Sequence, residues 1–363
     1  MMSKLKIGII GTGGIANSHM NAYKNFSDVE VVAGADIVPG KAAEFLRRHD
    51  HGSAKAFENH KDLLELDLDA VSICTYNSTH AECTLDALNA GLHVLLEKPM
   101  SVTLEEAVDM VKAEKKANKI LSVGFQPRYD PNMKMIKNIV ESGLLGDVYY
   151  ISTGGGRRRG IPGGTFVEKE LAAVGALADI GCYSLDMALN TIGYPKPLTV
   201  SAYASDFFGK NSKYFSEPDR FSVDDFSAAF IRLEGGIVLD FRTSWAMHMD
   251  TMGDTIFLGK DAGLKVKSPG LGNPWGGAWD GGVGPISIYK DVMDQNTETI
   301  IPLQDNSGPS LFEKKVRDFV DAIIEDKPAP IPTSQILYNQ AIIDGIIRSA
   351  ECGHEVNIEI PEI

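Results

Sequence analysis

Cysteine is scarce in this chain, with four in 363 residues and no C-x-x-C pair. Cys74, Cys83, Cys182 and Cys352 are scattered, three of them in apolar periodic segments, so they read as buried free thiols in a reducing compartment. The eight histidines show no ligand spacing with them, and the metal expectation is none. No G-x-S-x-G elbow supports a Ser-His-Asp hydrolase. Basic residues are also short, 35 against 49 acidic ones, a net charge of -14. That field repels a phosphate backbone and excludes nucleic acid as a partner. No apolar run approaches a membrane span, and the apolar start Met1–Ile10 is too short for a signal peptide. A cytoplasmic chain without a membrane partner is expected. Internal repeats and low-complexity segments are absent.

What is present is an ordinary globular balance, 44% apolar and 23% charged residues, in a chain long enough for two domains. The first third alternates strands with helices: strands at Leu5–Ile10, Val29–Ala35, Ala70–Cys74, His93–Leu96 and Ile120–Gly124, helices at Gly14–Tyr23, Lys41–Arg48, Ala81–Ala90 and Leu104–Ala117. Two-sided apolar strands in that rhythm predict an α/β, doubly wound parallel sheet over residues 1–125. Past residue 125 comes a helix, Pro131–Ser142, and then mostly strands: Val148–Thr153, Leu198–Ala204, Phe226–Leu233, Gly236–Ser244, Thr255–Leu258 and Leu264–Lys267, with one helix at Ala178–Thr191. Glu234-Gly235 marks a hairpin. A second α+β domain over 126–333 with a large, mostly antiparallel open sheet is expected, one face free for another subunit. Residues 268–286 form a Gly- and Pro-rich loop carrying Trp275 and Trp279, either sugar-stacking residues or loop anchors. Leu311–Ile324 and Ser334–Cys352 read as helices, with Gly353 as C-cap, and the tail 334–363 is expected to pack on the first domain.

Gly11-Thr12-Gly13-Gly14-Ile15-Ala16 matches G-x-G-x-x-G/A between the first strand and the first helix. Gly11 serves the tight turn, and Gly13 the backbone's approach to a pyrophosphate. The small Ala16 permits close helix-sheet packing. Free N–H groups at Gly14 and Ile15 would meet the anion. Asp36 ends the second strand, where an acid binds ribose hydroxyls and repels a 2′-phosphate; Lys41 is the only nearby cation to offset it. NAD is the expected cofactor.

Cys74-Thr75-Tyr76-Asn77-Ser78-Thr79-His80 follows one strand and Glu97-Lys98-Pro99 the next. With the glycine loop ahead of them, these segments resemble the Gfo/Idh/MocA family of oxidoreductases, and the likeness runs through Val123–Pro131 and Gly175–Asp186 across essentially the whole chain. The resemblance implies hydride transfer at a CH–OH carbon and a sugar or polyol substrate lying between the domains. It also implies a homo-oligomer formed through the open sheet, and Lys98 as the catalytic lysine before a cis Pro99. A cation at the carboxyl end of a parallel strand suits the polarisation of a substrate oxygen, with Glu97 beside it as charge partner. Asp179 and Tyr183, four residues apart, share a helix face. Tyrosine stands where the family often has histidine; its free pKa is about 10 rather than about 6.5. Tyr183 therefore needs a neighbour such as Lys98 to act as acid/base, while Asp179 orients the substrate.

The resemblance also places Thr75, Asn77, His80, Glu97, Lys98 and Gln126 at the cofactor, though Asn77 and His80 are equally open to a helix-start role. Arg128, Arg157 and Arg159, the last two in the dense basic run Arg157-Arg158-Arg159, are candidates for substrate. Oxidation of a glucoside to its 3-keto form is the first specific expectation, because the arginine run followed by Phe166-Val167-Glu168-Lys169-Glu170 resembles members acting on whole glycosides. A glycosidase using NAD transiently and a non-catalytic NAD-binding regulator are the alternatives.

Overall fold

A computed structural model describes residues 4–268 and 283–362. Trp275 and Trp279 lie outside the described residues. The chain divides into two compact units: residues up to Gln126 with Gly308–Leu337, and Pro127–Ser307 with Tyr338–Glu362.

The first unit is built on six parallel strands: β1 (Leu5–Ile10), β2 (Val29–Ala35), β3 (Lys55–Phe57), β4 (Ala70–Ile73), β5 (His93–Leu96) and β6 (Leu121–Val123). Their order, β3-β2-β1-β4-β5-β6, reverses beside β1. That is the strand order of a dinucleotide-binding sheet, with its ligand crevice at the reversal. The connections are α1 (Ala16–Tyr23), α2 (Lys41–Arg48), α3 (His60–Leu64), α4 (His80–Asn89) and α5 (Leu104–Ala117). The central strand β4 is buried at every residue, as helices on both faces require. A capping box at Thr103 and Glu106 starts α5, and Asn118 in the left-handed region ends it.

The second unit opens with α6 (Pro131–Glu141), capped by Asp130 with proline at N1. Strand β7 (Val148–Gly156) follows, then α7 (Lys169–Ala172), a π-helical turn at Leu177–Gly181 and α8 (Cys182–Thr191). The rest of its sheet is β8 (Pro197–Ser205), β9 (Phe226–Leu233), β10 (Ile237–Ser244), β11 (Thr255–Gly259), β12 (Gly263–Val266), β13 (Ile286–Val292) and β14 (Gln295–Ile301). Two helices follow: α9 (Leu311–Ile324), in the first unit, and α10 (Thr333–Cys352), which begins there and runs into the second. The two-residue strand β15 (Val356–Asn357) completes a nine-stranded sheet ordered β14-β13-β12-β11-β7-β10-β9-β8-β15. Among the described residues of this sheet, only β7 and β10 pair in parallel.

The segment 334–363, expected to pack on the first domain, divides between the two units. Residues 338–362 belong to the second unit, where β15 pairs with β8, Ser349 accepts from the Ala202 N–H and Asn339 donates to the Cys182 carbonyl. It is α9 that joins the first, packing on α1. Helical periodicity shows that a face is buried and leaves its partner unspecified. The stretch Lys169–Thr191 is long and apolar enough for a membrane span, contrary to the expectation from the sequence, and most of it is buried inside the protein.

Candidate active site

At the end of β1 the backbone turns on Gly11, whose φ of 83° lies in the left-handed region. A Cβ there would stand 2.6 Å from the Cys74 carbonyl oxygen, so the turn admits only glycine. Gly13 and Gly14 have nothing within 4 Å of an added Cβ, an open cradle beside the start of α1. Asp36 lies at the foot of that cradle. One carboxylate oxygen accepts from the Thr12 N–H at 2.9 Å, from the Thr12 hydroxyl at 2.8 Å and from Lys41 at 2.9 Å. The other accepts from the Val38 N–H at 3.0 Å. Burial opposes its ionisation, but Lys41 and these donors outweigh burial and hold the carboxyl below its ordinary value. An open backbone cradle, a helix start and an ionised acid past β2 fit a dinucleotide with a free ribose diol.

The turn after β5 carries Lys98 between two anchored neighbours, and the Lys98–Pro99 bond is cis. Glu97, expected as the partner of Lys98, is buried and pairs with His19 of α1 at 2.7 Å and with Lys315 of α9. The chain of contacts continues from His19 to Ser72 at 3.1 Å and from Ser72 to Tyr23 at 2.8 Å. On the other side of the turn, His80 Nδ1 donates to the Pro99 carbonyl at 2.7 Å. Burial holds His80 below its ordinary pKa, so the ring is neutral and braces the turn. Thr75 and Asn77 lie in the loop between β4 and α4, where the Thr75 hydroxyl donates to the Tyr76 carbonyl and Asn77 opens a 3-10 turn. Gln126 closes the first unit just past β6.

In the second unit, Asp179 lies on the π-helical turn and Tyr183 on the first turn of α8, both half-buried. A π-helical turn is rare, occurs mostly as a single-turn bulge within an α-helix and is frequent at functional sites. Its start is tied down by Asp224, whose carboxylate accepts from the Gly175 N–H at 2.7 Å and the Leu177 N–H at 3.0 Å. Burial raises Asp224 above its ordinary value, and those N–H groups oppose the rise. The side chain of Asp179 is fixed by Trp245, whose indole N–H donates to it at 2.9 Å, while a guanidinium nitrogen of Arg157 stands 3.7 Å from the same oxygen. Arg157 and Trp245 occupy the adjoining ends of β7 and β10, linked by the Arg157 N–H to the Ser244 carbonyl at 2.9 Å.

Two residues on, Arg159 is held by the Met247 carbonyl at 2.7 Å and by His248 Nδ1 at 2.9 Å. Its guanidinium lies 4.9 Å from the Phe208 ring and 5.1 Å from the Tyr214 ring. Arg128 is placed differently from its expected role: it makes a buried, two-pronged ion pair with Asp186 of α8 and meets Tyr194. Trp245, His19, Lys315 and Asp224 were not anticipated from the sequence. Among the described residues His60, Glu82 and Asp86 come close enough to share an ion, but Lys61 bridges the two carboxylates at 3.2 and 3.5 Å, and no ion is assigned.

Residues 5–125 match the family described as oxidoreductase family, NAD-binding Rossmann fold, and residues 133–265 match the GFO/IDH/MocA C-terminal domain. The chain belongs to the Gfo/Idh/MocA oxidoreductases. Among curated relatives, the D-glucoside 3-dehydrogenase of Escherichia coli K12 is 34% identical over 98% of each chain. The inositol 2-dehydrogenase of Salmonella paratyphi B is 39% identical over 39% of this chain and 43% of its own length. Among solved structures, levoglucosan dehydrogenase in complex with NADH shares the fold at a TM-score of 0.83, with 22% identity over 99% of this chain and 100% of that one. As a member of this family of sugar and polyol dehydrogenases, the chain binds NAD and is a dehydrogenase acting on CH–OH groups.

Proposed function

We propose that the chain oxidises the glucose unit of a glucoside at carbon 3, yielding the 3-keto glycoside. The observation that carries this reading is the fixed Asp179, held by Trp245 and Arg157 at the adjoining ends of β7 and β10, beside the Arg159–Phe208–Tyr214 wall. A carboxylate locked by an indole and an arginine suits a sugar hydroxyl, and aromatic faces with a cation suit the flat faces of further rings. The full-length likeness to a D-glucoside 3-dehydrogenase supports it.

Gly11, Gly13, Gly14 and Ile15 would hold the pyrophosphate and Asp36 the ribose, with Thr75, Asn77 and Gln126 toward the nicotinamide end. Bound there, NAD supplies the hydride acceptor. Lys98 stabilises the oxygen as its proton leaves, and Tyr183 takes that proton, Lys98 sharing the role. Asp179 orients the hydroxyls, Arg157 stands beside its carboxylate and Arg159 meets the aglycone. Arg128 serves by fastening α8 through Asp186, and Glu97 and His80 brace Lys98 from beneath. The chain acts in the cytoplasm. The sheet face bearing Tyr203 and Phe230, 64% and 40% exposed, meets a second copy.

The test is incubation of a panel of methyl and aryl glucosides, free sugars and inositols with NAD and with NADP, the product being located by NMR. A keto group at carbon 3 with stoichiometric NADH supports the reading. Cleavage of the glycosidic bond without net NADH, or preference for an inositol, overturns it.

A further inference from the structure

One carboxylate in the first unit meets a full set of charges that hydride chemistry does not itself require. Glu97, 4% exposed, accepts from His19 and from Lys315, which is 1% exposed. The Lys315 ammonium also faces the Phe312 ring at 4.5 Å. Burying a lysine and a glutamate this completely is costly unless each is the other's partner. The room for them comes from Gly124, just past β6: a Cβ there would stand 3.0 Å from both the Glu97 carboxylate oxygen and the Lys315 nitrogen.

The groups facing Glu97 come from four elements: His19 from α1, Lys315 from α9, Cys74 from the end of β4 and His80 from α4. Burial, together with the Lys315 charge, keeps His19 below its ordinary pKa, and burial does the same for His80. The Cys74 thiol is pushed up by burial. These three are therefore uncharged near neutrality. Burial disfavours the Glu97 carboxylate, but Lys315 and His19 outweigh it and hold the group well below the usual carboxylate range. One negative and one positive charge remain, and they cancel.

Lys98 follows Glu97 directly in the chain. A bare carboxylate on the neighbouring residue would favour the charged form of Lys98, which works against a lysine that shares a proton near neutrality. We propose that Lys315 is a positioning residue for hydride transfer: it neutralises Glu97 so that Lys98 works beside an electrically balanced interior, and with His19 it anchors the turn that carries Lys98. This rests on the reading of Lys98 as the group that meets the substrate oxygen.

The test follows Lys98 itself in the full-length protein, without cofactor or substrate. Its acetylation rate with acetic anhydride is measured across pH by peptide-resolved mass spectrometry, which gives the midpoint at which the amine becomes reactive. In Lys315→Met that midpoint rises by roughly one pH unit. In the double variant Glu97→Gln/Lys315→Met it returns to the wild-type position, and Lys315→Arg never leaves it. Should Lys315→Met fail to fold, Lys315→Gln, which keeps an N–H for Glu97, takes its place. An unmoved midpoint in the single variant, or a double variant sharing its shift, overturns the proposal: Lys315 would then be structural only. Lys98→Met separates this from the underlying reading, since hydride transfer surviving in that variant removes Lys98 from the chemistry without touching the charge linkage.

Discussion

The two segments proposed to carry the chemistry are braced by different means. The Lys98 turn stands on ionised groups sealed in the core, Glu97 with Lys315 and His19, plus the neutral clamp of His80 on Pro99. The start of the Asp179–Tyr183 segment stands on backbone N–H groups gathered by Asp224, and Asp179 on an indole donor with Arg157 beside it, while the Arg128–Asp186 pair lies further along α8. Buried charges are all-or-nothing partners, because removing one strands the other. Neutral donors degrade more gently, each bond being a modest net contribution. The first segment is therefore rigid in charge. The second is rigid in shape, and its π-helical turn sets where Asp179 and Tyr183 emerge.

The largest effect tests the first segment's chemistry. Lys98→Met should lower turnover by at least about 10³-fold, as loss of a group stabilising a developing oxyanion does, while NAD titration by fluorescence stays near wild type. Undiminished turnover would move the chemistry entirely to the second segment. Next comes the contrast in stability. Lys315→Met should cost roughly 3–5 kcal/mol in denaturant unfolding, against roughly 1–2 kcal/mol for Asp224→Asn, which keeps a side-chain oxygen for one N–H. Equal losses would erase the distinction between charge bracing and shape bracing.

Titration sharpens the same comparison, because the signs differ. Glu97 is held below its unfolded value of about 4.3, so its contribution is complete above that pH and is lost as pH falls through the folded value. Burial raises Asp225, near Asp224, to about 6. There the folded state binds the proton more tightly, and stability is lost as pH rises from about 4 to about 6. Asp225→Asn should therefore stabilise relative to wild type at pH 8, with the gain fading toward pH 4, as urea midpoints at the two pH values would show. The smallest effect is expected at the outer wall. Arg159→Ala should raise KM for an aryl glucoside severalfold, consistent with a cation–π contribution of about 1 kcal/mol, and less so for a methyl glucoside.

Strands β1, β2, β4 and β5 and helices α2 and α5 were legible because their periodicity and caps agree with their burial. The glycine loop, Asp36 and Glu97-Lys98-Pro99 stand out in the sequence by their spacing, and each lies just past the carboxyl end of a parallel strand. The β13–β14 hairpin was not. It turns on Met293-Asp294, both at positive φ, without the Asn-Gly or Asp-Gly pair that marks such turns, and its outer strand is mostly polar. Lys315 left a faint signal: it lies on the buried stripe of α9 with Val316, Phe319 and Val320, an odd place for a lysine without a partner. Trp245 left none, since an aromatic residue at a strand end is ordinary and only the neighbouring Asp179 gives its indole N–H a role. For Arg128 the sequence shows a cation near the cofactor domain and hides the acid, 58 positions later, that binds it.

The Asp36–Lys41 pair has a consequence for coenzyme choice. In the proposed placement of the ribose, the carboxylate that restrains Lys41 also stores a positive charge beside it. Replace the acid with a small neutral residue and the stored cation faces the place where the extra phosphate of NADP would lie. On the proposed placement of Asp36 at the ribose, the choice between the two coenzymes is a latch closed by a single side chain.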